Sequence, residues 1–125
     1  GDVTFGGLLV TEIELGGLDR VTQYDAVDVS GALTLGGTLN VVLVDLGGGL
    51  FSPQLGNTFD IFDAGSIIGS FADINLPSLQ AGLRWNTSQL GTNGVLSVAA
   101  VPLPPAIWLL LSALFGIVAI RRESA

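Results

Sequence analysis

Fifteen consecutive residues, Ala106 to Ile120, carry no charge, and only Ser112 and Gly116 interrupt their large apolar or alanine side chains. Such a run predicts a helix apolar on every side, which only a protein interior or a bilayer accommodates. At about 1.5 Å per residue it is roughly 22 Å long, short of the roughly 30 Å hydrocarbon core of a bilayer. Arg121 and Arg122 cover part of the difference by lying along the core edge with their charges outside, and Val98 to Val101 cover the rest in the opposite interface. The nine Leu, Ile, Val and Phe residues favour insertion by roughly 3 to 5 kcal/mol before losses at Ser112 and Gly116. Pro104 and Pro105 suit a first helical turn, whose amides have no intrahelical partner, and Trp108 falls at interface depth. The double arginine then predicts a cytoplasmic C-terminus, with residues 1–100 on the far side of the membrane. A buried helix of a soluble domain is the competing reading, and it explains neither the terminal position nor the paired arginines.

The order of features here is Val101-Pro102-Leu103-Pro104, then a helix carrying Trp108, Leu109, Leu110, Ser112, Leu114 and Gly116, then Arg121-Arg122. It resembles the PEP-CTERM sorting signal in its Val-Pro-Leu-Pro-Ala variant, departing from it at Pro105 and in the trailing Glu123-Ser124-Ala125. The resemblance covers about the last fifth of the chain. It implies export in a Gram-negative bacterium, retention in the inner membrane by the helix and processing by an exosortase, with cleavage near Leu103-Pro104. It also implies a setting of exopolysaccharide and biofilm.

Residues 1–100 contain Arg20 and Arg84 against ten carboxylates, a net charge of −8, and the chain has no lysine. Nucleic acid and anionic lipid are poor partners for such a surface, since both need clustered positive charge. There is no cysteine and no histidine. Disulfides and thiolate chemistry are excluded, and so is the commonest general base and zinc ligand. An exported domain of this kind must hold together through its core, its hydrogen-bond ladders or repetition. The chain begins at Gly1 without the leader that this topology requires, which leads us to expect the C-terminal part of a longer precursor.

The first hundred residues read as β throughout. Leu8 to Leu15 alternates, with Glu12 and Glu14 on a wet face. Ala26 to Val29 and Ala32 to Leu35 are expected as two short strands separated by Ser30-Gly31. Thr38 to Val44 becomes continuously apolar from Val41, as in a strand covered on both faces. Further short strands are expected over Thr58 to Phe62, at Ile67-Ile68 and over Phe71 to Leu76, which Pro77 stops. Leu83 to Leu90 and Gly94 to Val98 suggest a closing hairpin around Gly91-Thr92-Asn93-Gly94, with Trp85 plugging the core.

Glycine pairs recur at 6–7, 16–17, 36–37 and 47–48, and Phe5-Gly6-Gly7 echoes Leu35-Gly36-Gly37. Short strands with glycine corners fit the end coils of a right-handed parallel β-helix, and a small β-sandwich is the alternative. Tyr24 to Leu39, Gly56 to Ile61 and Gly69 to Pro77 resemble the closing segment of autotransporter-like β-helical surface proteins. That likeness implies architecture rather than activity. The chain thus divides into an extracytoplasmic β-rich domain over 1–100, a proline-rich sorting and cleavage segment over 101–105, a transmembrane helix over 106–120 and a cytoplasmic basic tail over 121–125.

Candidate sites are few. Glu12 and Glu14 share a strand face and could pair as acid and base or bind calcium, and Asp25, Asp28, Asp60 and Asp63 are further carboxylates that could bind calcium. A solvated face is the plainer reading of all six, because no calcium-loop motif is present. Gly47-Gly48-Gly49 is not followed by a Lys-Ser/Thr pair and reads as a turn, and Ser66, Ser70 and Ser78 have neither histidine nor lysine to activate them. Tyr24 and Trp85 could stack on sugar rings or pack in the core. No cofactor and no catalysis are expected. The expected function is that of a surface or matrix protein whose partners are the inner membrane, an exosortase-type enzyme and exopolysaccharide, with self-association open. The alternatives are a permanently anchored single-pass protein, a carbohydrate- or calcium-binding module, and the non-catalytic end of a larger secreted protein.

Overall fold

The computed structural model describes residues 1–102; the helix expected over 106–120 and the basic tail lie outside the described residues. The described chain is all β, with nine strands. They are β1 (Val3–Thr4), β2 (Val10–Leu15), β3 (Val27–Leu35), β4 (Thr38–Leu43), β5 (Thr58–Asp60), β6 (Phe62–Gly69), β7 (Asp73–Asn75), β8 (Leu83–Asn86) and β9 (Val95–Ala100). Among the described residues no helix is long and apolar enough to cross a membrane.

The chain runs in circuits. β1, β3 and β6 form one parallel sheet, β2, β4 and β7 a second, and β5, β9 and β8 a third that is antiparallel. Each passage through the first sheet is followed by one through the second, so residues far apart in sequence stack in columns. Val3, Leu33 and Ile67 form one column, Val10, Thr38 and Asp73 another, and Glu12, Asn40 and Asn75 a third. An antiparallel sandwich would pair these strands in the opposite sense; only the third sheet does so.

Alternation determines which side chains point inward. Ile13 and Leu15 on β2, Leu33 and Leu35 on β3, and Leu39 and Val41 on β4 are buried, while Glu12 and Glu14 between them are exposed. These residues join Phe59, Ile61, Phe62, Leu90 and Leu96 in one core. Phe59 lies edge-on to Tyr24 and Phe51, with ring centroids 5.3 and 5.9 Å apart, and Phe5 meets Phe62 the same way at 5.9 Å. Each such pair adds about 0.5–1.5 kcal/mol beyond area burial, one source of cohesion in a chain that has no disulfide.

The corner between β3 and β4 explains one glycine pair. Gly37 has φ 69°, and a Cβ there would run into the carbonyls of Leu9 and Gly6 on the preceding corner; one on Gly36 would meet the carbonyl of Phe5. Stacked corners approach so closely that a side chain has no room.

Several elements differ from the sequence reading. Ser30-Gly31 does not separate two strands: β3 runs unbroken, and the register slips between Val29 and Ala32 as a bulge against β6. The Asp2 carboxylate accepts the Ala32 N–H at 2.8 Å, satisfying a donor at the bulge. Ile67-Ile68 belongs to the eight-residue β6, and the strand expected over Phe71 to Leu76 shrinks to β7. Val42 and Leu43 are only half buried, so β4 is covered on one face. The closing hairpin exists, but β8 stops at Asn86 and the connection runs from Thr87 to Gly94. Gly94 at its end has φ 73° and serves another purpose: its carbonyl accepts the N–H groups of Ile61 and Phe62 at 3.0 and 3.1 Å.

Candidate functional site

The loop after β2 is held by local hydrogen bonds around Gln23. Its side-chain oxygen accepts the N–H groups of Leu18 and Asp19 at 3.1 Å each, and its own N–H donates to the Asp19 carbonyl at 2.8 Å. The Val21 N–H donates to the Tyr24 carbonyl at 2.9 Å, and closing this turn forces Val21 to φ 72°. That is a left-handed conformation in which a β-branched side chain is strained. Tyr24 is buried, and its hydroxyl accepts the Asp60 N–H at 3.1 Å. Tyr24 is therefore core, with no face to offer a sugar.

This anchoring presents Arg20 to three carboxylates. Its Nε donates to the Asp60 carbonyl at 2.8 Å, a terminal nitrogen donates to Asp28 Oδ1 at 2.7 Å, and the Asp60 carboxylate lies 3.6 Å away. Asp63 is the register partner of Asp28 across the β3–β6 ladder. The hydrogen bond from Arg20 holds the Asp28 carboxyl below the usual carboxylate range, and Arg20 itself is raised by the same bond. Asp60 moves the other way: burial pushes its carboxyl up, and Arg20 only partly opposes this.

Three of the four candidate calcium ligands thus converge, but on a guanidinium. Asp25 stands apart: its Oδ2 accepts the Glu14 N–H at 2.8 Å while its own N–H donates to the Glu14 carbonyl at 3.0 Å. Its carboxylate seals part of a strand edge. Among the described residues no group of three or more His, Cys, Asp or Glu is placed to hold a metal ion. The Arg20 cluster ties the loop after β2 to β3 and β5, a mechanical task. Sequence reasoning passed over Arg20, although one of only two basic residues among ten carboxylates is a signal that could have found it.

Glu12 lies exposed in one column with Asn40 and Asn75, and the Asn75 amide donates to Asn40 Oδ1 at 2.7 Å. Beside this polar column runs an open groove floored by Val42, Leu50, Leu76 and Pro77. Trp85 packs half buried on the core beside Phe59, its indole N–H donating to the Pro77 carbonyl at 2.8 Å.

The chain leaves the domain from the middle of the third sheet. β9 ends at Ala100 opposite Leu83, and the Val101 N–H donates to the Gly82 carbonyl at 2.9 Å. Val101 is 46% exposed and Pro102 is exposed, so the first half of the Val101-Pro102-Leu103-Pro104 motif emerges at the surface directly after a core strand. Leu103, Pro104, Trp108, Leu109, Leu110, Ser112, Gly116, Arg121 and Arg122 lie outside the described residues. No family model, no curated protein and no solved structure matches the chain.

Proposed function

We propose that this is an exported, non-enzymatic surface or extracellular-matrix protein, delivered by a C-terminal membrane helix that doubles as a sorting signal and released by an exosortase-type enzyme. The carrying observation is the fixed order of Val101-Pro102-Leu103-Pro104, an uncharged fifteen-residue run and Arg121-Arg122, beginning one residue after the last strand of a folded domain. Proline disfavours helix in the residue before it, so Val101 and Leu103 read as extended, the backbone form that a processing enzyme needs. The two parallel ladders support reading the domain as end coils of a right-handed β-helix, an acidic spacer or matrix element. Replacing Pro102 and Pro104 with alanine should leave insertion intact and make uncleaved protein accumulate in the membrane. Unchanged release from an inserted helix would defeat the reading in favour of a permanent anchor.

A second reading rests on the groove lined by Asn40, Asn75 and Ser78. Two amides and a hydroxyl flanking an apolar floor suit a hydroxyl-rich chain, which makes the domain a carbohydrate-binding module. Titration calorimetry with exopolysaccharide tests it, and Asn40→Ala should abolish any heat observed.

A further inference from the structure

Two uncharged segments meet where the chain leaves the domain. One covers residues 46–59 and the other residues 74–83, and all ten carboxylates of residues 1–100 lie outside them. The Gln80 side-chain amide donates to Ser52 Oγ at 2.8 Å and joins the two. The Val101 N–H ties the exit to Gly82 in the second segment, and the Gly56 N–H donates to the Val98 carbonyl at 3.1 Å, setting Leu55 beside the end of β9. Leu50 is 65% and Leu55 61% exposed, and Val101 is exposed between the two segments. The exit is thus rimmed by large apolar side chains with no carboxylate among them.

Charge gathers at the other end of the same sheet. Asp60 is the register partner of Val95, the first residue of β9, and Arg20 ties Asp28 and Asp60 together there. The exit follows Ala100, the last residue of β9, about 17 Å further along at about 3.4 Å per residue. The cation at the exit is Arg84. It is exposed, its Nε donates to the Ala100 carbonyl, and among the described residues it pairs with no carboxylate.

The linker is short. On the reading proposed above, the membrane-entering run starts at Ala106, and the steps from Val101 to Ala106 reach at most about 18 Å when fully extended. The headgroup layer takes up roughly 5–8 Å of that reach. The rim is therefore held close to the bilayer, while the carboxylates around Arg20 lie a sheet's length away.

We propose that in the anchored protein this rim docks on the phospholipid surface, with Leu50 and Leu55 entering the interface and Arg84 donating to a lipid phosphate. The inference rests on the membrane-anchor reading and goes beyond it, because an anchor alone would leave the domain turning freely on its linker.

The chain contains no cysteine, so single cysteines can carry a nitrobenzoxadiazole fluorophore in the full-length protein, reconstituted in phosphatidylcholine nanodiscs with some nitroxide-bearing headgroups. Labels at Leu50→Cys and Leu55→Cys report on the rim, and one at Ser88→Cys, exposed in the connection at the far end of the third sheet, is the control. Quenching at the rim should exceed that at Ser88→Cys about fivefold. Adding Arg84→Gln or Leu50→Asp to Leu55→Cys should lower its quenching about threefold, with unchanged circular dichroism. A label at Leu114→Cys, read with nitroxides deep in the acyl chains, tests the anchor separately. Deep quenching at Leu114 combined with equal headgroup quenching at Leu55 and Ser88, or with a Leu55 signal indifferent to both substitutions, would overturn the docking and leave the anchor standing. No deep quenching at Leu114 would overturn both.

Discussion

Gly6-Gly7 and Gly36-Gly37 are the same dipeptide, each set between a bulky apolar residue and the second parallel sheet, and their surroundings have little in common. Around the second pair the backbone of the first circuit closes in from Phe5 to Leu9, and Gly37 takes a left-handed φ of 69°; around the first pair there is open space. A repeated sequence marks a repeated shape, whereas the neighbour across the corner decides whether the glycine is indispensable. Substituting alanine at each position turns this contrast into numbers.

The largest effect is expected at Gly37→Ala, which combines a disfavoured φ with collisions against two carbonyls that belong to another strand connection. It should lose about 2–4 kcal/mol by urea denaturation. Gly36→Ala keeps an ordinary φ and meets one carbonyl, so a loss of about 1–3 kcal/mol is expected. Val21→Gly should act in the opposite direction. Relief of the strain at φ 72° outweighs the added freedom of glycine in the unfolded chain, for a net gain of about 1 kcal/mol. Gly6→Ala sets the lower limit: with nothing near its Cβ, the measured change should stay within about 0.5 kcal/mol. A loss there as large as at Gly37 would mean that the first corner is already covered.

Acid should separate the two carboxylates beside Arg20. Asp28 is held low by its hydrogen bond from Arg20, so its stabilising contribution is complete above the unfolded carboxyl value of about 3.9 and is lost as pH falls below it. Asp60 is raised by burial, so the folded state takes up its proton first and acidification through that region is stabilising. Asp28→Asn should therefore flatten the acid limb of the stability curve, and Asp60→Asn should steepen it. Urea midpoints measured from pH 6 to 3 distinguish these slopes, and an Asp28→Asn acid limb parallel to that of the unsubstituted chain would mean that Arg20 does not hold Asp28 in solution.

Much of the fold is legible in the sequence because it is local. The alternation of Ile13 and Leu15 with Glu12 and Glu14 reports on neighbours within a few residues, whereas the run at Val41 suggests cover on both faces of a strand that is covered on one. The unread parts depend on partners one circuit away. Ser30-Gly31 looks like a break, yet the β6 ladder and Asp2 carry β3 through it as a bulge. Asp25 reads as a solvated carboxylate, with calcium as the alternative, and is an edge seal; Arg20 reaches Asp60, forty positions on, because Tyr24 pins the loop between them. Gly91-Thr92-Asn93-Gly94 reads as the turn of a closing hairpin, and Gly94 also lies against Phe62, a contact one circuit away. The proposed sorting motif rests on the order of residues alone, and its described half, Val101-Pro102, lies where the domain ends.

The account depends most on what happens at that exit, and the intact mass of the protein recovered outside the producing cell tests it directly. The account predicts an external pool lacking a fragment that runs from within 101–105 to Ala125, beside a membrane pool that retains it. Full-length chain in both pools would contradict it, and the reading of 106–120 as a permanent anchor would replace the proposed sorting signal.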